Sequence, residues 1–139
     1  MEAGVEMDRA VAEALGETVL SRVDAVAKCN KWRERQPEPW GPDFESWFCG
    51  DWYLDGEPSA GGLSPLPAYS IDIEEAFTAA ERVGLFGDGI CLLKHREGAW
   101  RIWDDDLGKA VASGSTPALV ICKAILNLKE ESDGRESSV

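Results

Sequence analysis

Six of the seven prolines in this 139-residue chain fall between positions 36 and 68: Pro37, Pro39, Pro42, Pro58, Pro65 and Pro67. Gly41, Gly50, Gly56, Gly61 and Gly62 share the same stretch. Proline removes a backbone donor and fixes φ, and glycine loses more entropy than any other residue in a regular element, so no long helix or central strand forms there. Regular structure must lie on either side, with 35–66 an extended insertion rich in tryptophan and proline. Within it, 44–54 is the exception, because Trp47, Phe48, Trp52 and Tyr53 suit short strands.

The flanks carry clearer patterns. Residues 8–15 are good helix formers, with Val11, Ala14 and Leu15 on one stripe and Gly16 as the stop. Val19, Val23 and Val26 fit a helix face over 18–31, although their β-branched side chains also suit a strand; the helix is the expectation. Ser70 is placed to cap a helix, Asp72 to complement its dipole and Gly84 to end it, with Ile73, Ala76, Phe77 and Ala80 on the buried face. Residues 90–95 and 99–103 are apolar runs joined by a glycine-containing turn, which predicts a β-hairpin. The turn Asp104-Asp105-Asp106-Leu107-Gly108 leads into a strand at 109–112. Thr116-Pro117 opens a last helix over 118–129, burying Ile121, Ala124, Ile125 and Leu128. Residues 130–139 lack apolar content and are expected to be a disordered tail. The order predicts an α+β fold, with an antiparallel sheet flanked by helices in an αβα-type sandwich. The length predicts a single domain over 1–129.

Charge is concentrated in the middle of the chain. The formal net charge is −12, and 36–89 carries eleven acidic side chains against Arg82 alone. Duplex nucleic acid and anionic membranes demand a cationic face, so neither is an expected partner. No apolar run approaches membrane-spanning length, and no signal-peptide pattern is visible at the start, so the expected location is the cytoplasm.

Two segments resemble a known family. Leu66-Pro67-Ala68-Tyr69-Ser70-Ile71-Asp72-Ile73-Glu74-Glu75-Ala76 resembles the signature that opens a helix in the phage ABA-sandwich domain. Thr116-Pro117-Ala118-Leu119-Val120-Ile121-Cys122-Lys123-Ala124 is similar to that family's closing helix, and 8–16 looks like its opening helix. The resemblance implies layered helices and sheet, an origin in a phage or prophage, and action in the host cytoplasm. It implies no catalytic residues, because the signatures consist of caps and core positions.

The candidate chemistry is correspondingly that of binding. His95 is the sole histidine, and it ends a strand beside a turn without a positioned partner, so no catalytic residue is assigned. Cys29, Cys49, Cys91 and Cys122 lack paired spacing, and Asp104-Asp105-Asp106 reads as a solvated turn, so no metal or other cofactor is expected. Six tryptophans are a heavy load; they either fasten the insertion to the sheet or form a stacking surface. Alternation along 100–103 puts Trp100 with Ile102 and Arg101 with Trp103. The expected ligand-binding set is Trp47, Trp52, Tyr53, Tyr69, Lys94, Trp100, Arg101 and Trp103, with Lys31 and Arg33 from the basic cluster at 28–35. Aromatic faces and cations together suit a nucleotide-type ligand. The expected role is a non-enzymatic phage accessory protein that counters host defence by sequestering such a signalling molecule, as a homo-oligomer. The alternative is an inhibitor that contacts a host protein directly through its acidic, DNA-mimic-like surface.

Overall fold

The computed structural model describes residues 2–36, 48, 50–59 and 62–137. Trp40, Trp47 and Cys49 lie outside them. The elements run α1 (Val5–Ala14), β1 (Val19–Ser21), α2 (Arg22–Glu34), β2 (Trp52–Leu54), α3 (Ile73–Val83), β3 (Ile90–Lys94), β4 (Trp100–Asp104), β5 (Lys109–Gly114) and α4 (Pro117–Ser137). They divide into two compact units, Met1–Leu15 with Pro67–Val139, and Gly16–Leu66. The single domain with an insertion at 35–66 is therefore redrawn: the inserted body begins at Gly16, well before the first proline.

The reason is the partner that α2 finds. Val19, Leu20 and Ser21 pair antiparallel with Leu54, Tyr53 and Trp52, so the expected helix over 18–31 starts later, at Arg22. Ser21 is its cap, its Oγ accepting the Asp24 N–H at 3.3 Å. Ala25 and Cys29 on α2 then join Phe48, Tyr53 and Leu63 in one buried cluster. The Phe48 and Tyr53 rings meet edge-on at 4.6 Å, and the Gly50 N–H donates to the Tyr53 hydroxyl at 2.9 Å. Lys28 forms an ion pair with Asp55; both are part-exposed, which limits its worth to about 0–1 kcal/mol.

The other unit is organised around α4. That helix packs on β4 and β5 and is met by α1 and α3. Accordingly Ala118, Leu119, Val120, Ile121, Cys122, Ala124 and Ile125 are all buried, the pattern of a helix enclosed around its circumference. The α+β class stands, and the layering comes from this helix: α4 lies on the antiparallel sheet β3-β4-β5, and α1 and α3 pack on α4. Among the described residues, the element contacts place α4 on one face of this sheet and do not establish a helix on the other. Thr116 Oγ1 accepts the Leu119 N–H at 3.1 Å, as its position before Pro117 predicts. The helix continues to Ser137, past the end expected at residue 129 and into the segment expected to be disordered.

Two details of α3 differ from expectation. Its cap is Asp72, whose side chain accepts the Glu74 N–H at 2.9 Å, and Ala76, Ala79 and Ala80 are its buried residues, while Ile73 and Phe77 remain 36% and 39% exposed. Ser70 is fully buried and serves the N-terminus instead. Its Oγ accepts the Gly4 N–H at 2.8 Å, and its own N–H donates to Asp8 Oδ1 at 2.7 Å. Asp8 is itself buried, in the first turn of α1 where the helix dipole favours a carboxylate. This polar fastening joins the two stretches of chain that the inserted unit separates in sequence.

Candidate binding site

The expected ligand set does not assemble into one pocket. Tyr53 and Tyr69 are each only 4% exposed; Tyr53 is a core residue of its unit and neither tyrosine offers a face to a ligand. Trp47 lies outside the described residues. Lys31, Arg33 and Trp52 belong to the unit 16–66, whereas Lys94, Trp100, Arg101 and Trp103 belong to the other. Within the sheet those last four divide again. Ile102 is fully buried, and a Cβ on Gly114 would stand 3.3 Å from Leu119 Cγ, so this is the side that α4 covers. Trp100, opposite Gly114, and Lys94, opposite Trp100, share that side by alternation. There the Lys94 ammonium sits 5.8 Å from the Trp100 ring centroid, a cation–π contact made within the chain. Arg101 and Trp103 point to the opposite side, both half-buried.

A different concavity is present at the far end of the same sheet. A groove of about 660 Å³ is lined by Val83 and Leu85 after α3, Ile90, Asp104, Leu107, the start of β5, and Ala124, Asn127, Leu128, Glu130 and Glu131 of α4. This volume falls in the range of small-ligand and peptide pockets. Local chemistry explains its shape. Gly84 takes a left-handed conformation, φ 65° and ψ 33°, and turns the chain out of α3. Ile102 pairs with Ala112 but Trp103 with Ala110, so Val111 is the extra residue of a β-bulge. Its carbonyl accepts from Asn127 Nδ2 at 2.9 Å, which holds the bulge against α4. Asp104 Oδ1 accepts the Asp106 and Leu107 N–H groups at 2.9 and 3.2 Å, an Asx-type turn that leaves Leu107 60% exposed. Val83 and Leu128 are part-exposed beside it.

Sequence reasoning missed this groove, although one signal pointed to it: Leu107 is an apolar residue in an otherwise polar turn. The groove's charged lining is Asp104, Glu130 and Glu131 against Lys109 alone, which disfavours an anionic ligand. The two buried thiols, Cys29 and Cys122, contribute little nucleophilic character. Burial pushes Cys122 up to about 12, helped by the nearby Asp8 carboxylate, and burial raises Cys29 despite the opposing pull of Lys28. No group of His, Cys, Asp and Glu able to hold a metal occurs among the described residues, and none of their helices is long and apolar enough to cross a membrane. No protein-family model matches this chain, and no curated protein or solved structure shows significant similarity to it.

Proposed function

We propose that this protein acts by binding and not by catalysis, and that the groove between β5 and α4 takes a segment of a partner protein in which apolar side chains neighbour lysine or arginine. The observation that carries this reading is the pairing of exposed Leu107, Leu128 and Val83 with an acidic lining. Apolar anchors provide the buried contact and the carboxylates select a cationic segment, which is how interfaces divide affinity from specificity. The net charge of −12 acts in the same direction by steering basic partners inward. The likeness of 66–76 and 116–124 to the phage signatures supports a host protein as that partner and a counter-defence role. Titration of isotope-labelled protein with a short leucine–lysine peptide tests the site. The expected result is a Kd of about 10–100 µM, with resonance shifts at Val83, Leu107 and Leu128. Leu128→Lys is expected to weaken binding about tenfold or more. Shifts elsewhere, or equal binding of a leucine–glutamate peptide, would exclude the reading.

A second reading is favoured by one observation: Arg101 and Trp103 share the side of β4 that α4 does not cover, both half-buried. An indole beside a guanidinium can stack a base and hold a phosphate, which preserves sequestration of a nucleotide-type ligand on a smaller set of residues. Calorimetry with cyclic and linear nucleotides is the check. Heat that disappears in Trp103→Ala and Arg101→Ala, and persists in Leu128→Lys, would favour this reading over the groove.

A further inference from the structure

The two edges of the three-stranded sheet are treated differently. On β5 the outward carbonyls are occupied: Val111 O accepts from Asn127 Nδ2 at 2.9 Å, and Ser113 O accepts from Lys123 Nζ at 3.2 Å. Side chains one turn apart on α4 thus match carbonyls two residues apart on the strand, and close that edge. On β3 the ladder phase is set by the His95 N–H donating to Ala99 O at 2.7 Å and the Asp105 N–H donating to Gly89 O at 2.8 Å. In an antiparallel pair these alternate, so Cys91 and Leu93 bond to β4, whereas Ile90, Leu92 and Lys94 direct their backbone groups outward. The Ile90 N–H is used in the turn, donating to Gly87 O at 3.3 Å. The N–H groups of Leu92 and Lys94 and the carbonyls of Ile90 and Leu92 meet no partner among the described residues.

We infer that β3 pairs antiparallel with β3 of a second copy of this chain, about a two-fold axis at Leu92. Three observations fit that occupant. The free groups are self-complementary: Leu92 exchanges both bonds with Leu92 of the second copy, and each Lys94 N–H reaches the other copy's Ile90 carbonyl, leaving the already occupied Ile90 N–H unused. The flanking charges complement each other as well, since the same axis brings Asp88 towards Arg96 of the second copy, and both are exposed. Lys94 stands opposite Ile90, so no like charges face each other. Finally, Cys91 comes opposite Leu93, which is 47% exposed and gains an apolar neighbour on the side not covered by α4. An isologous strand edge of this kind closes on itself, giving a six-stranded sheet instead of an open fibre. The inference does not depend on the groove: the two share Ile90 alone, of which the strand edge uses only the backbone carbonyl.

Sedimentation equilibrium of the full chain between about 5 µM and about 500 µM tests it. The expected result is a monomer–dimer equilibrium. Asp88→Arg and Arg96→Asp should each weaken it about tenfold, and the double swap should restore it to within about threefold. A second measurement tests the register directly. Residues 91 and 93 form a non-hydrogen-bonded pair across the axis, where Cα atoms lie about 4.5 Å apart and a disulfide fits. Leu93→Cys should therefore give a covalent dimer under mild oxidation, and Cys91→Ser in that background should abolish it. A monomer throughout the range, a dimer indifferent to both charge reversals, or cross-linking that survives Cys91→Ser would overturn the proposal and leave the edge to an extended segment of some other protein.

Discussion

Ile121→Ala is expected to lower the unfolding free energy of the unit built on α4 by about 3–4 kcal/mol. Ile121 is fully buried in α4, which meets the sheet, α1 and α3 together. Truncation there removes apolar surface from a place with packed neighbours on opposing sides, so the cavity cannot close by a shift of one layer. Domains of this kind hold only about 5–15 kcal/mol in total, which makes the loss a large share of what keeps the unit folded. Leu128 on the same helix is 40% exposed, and Leu128→Ala should cost less than about 1 kcal/mol. Denaturant unfolding followed by hydrogen exchange at the β4 amides separates this unit from the unit 16–66. Equal losses for the two substitutions would show that α4 is not enclosed as described.

The second large effect is a loss of stability at alkaline pH that originates at Cys122. Its thiol is raised from an ordinary value of 9.0 to about 12, by burial first and then by the Asp8 carboxylate. The folded state therefore holds a proton that the unfolded chain releases more readily. The contribution is complete below pH 9.0 and is lost as pH rises towards about 12. Within that window the cost is about 1.4 kcal/mol per pH unit, on the order of 4 kcal/mol across it. Cys122→Ala should be about 1 kcal/mol less stable than the native chain at pH about 8, through the small cavity it leaves. Near pH 10.5 the order should reverse, because the variant has no thiol to ionise. Parallel unfolding curves at the two pH values decide the matter; identical alkaline slopes would remove Cys122 as the cause. Thiol labelling at neutral pH gives an independent reading, with half-buried Cys91 modified before Cys122.

Both predictions concern residues whose type the sequence announced but whose environment it did not. The hairpin, its third strand and the capped start of α4 were legible because turn glycines, alternating apolar runs and a Thr-Pro pair act through neighbours in the chain. The ends and faces of the helices were less so. Val19 and Val23 suit a helix or a strand equally, and pairing with Tyr53 and Leu54 decided the matter for 19–21. Ile73 and Phe77 are spaced for a buried face, yet α3 turns its alanines inward, because only small side chains allow it close to α4. Ser70 sits where a cap would, but a buried carboxylate at Asp8 claims its N–H.

The candidate site was the least legible part. Trp, Tyr, Lys and Arg carry their binding chemistry individually, and their ability to act together depends on distances that no local pattern encodes. By itself the sequence determined the α+β class, the strong negative charge, the hairpin and the helix that begins at Pro117. Only the tertiary structure decided that the body inserted between α1 and Pro67 starts at Gly16, that Tyr53 and Tyr69 are buried, and that the open concavity lies at Leu107. The physical reason is range: capping, turns and alternation are settled within a few residues, whereas burial and the joining of charges with apolar groups depend on which distant segments pack together.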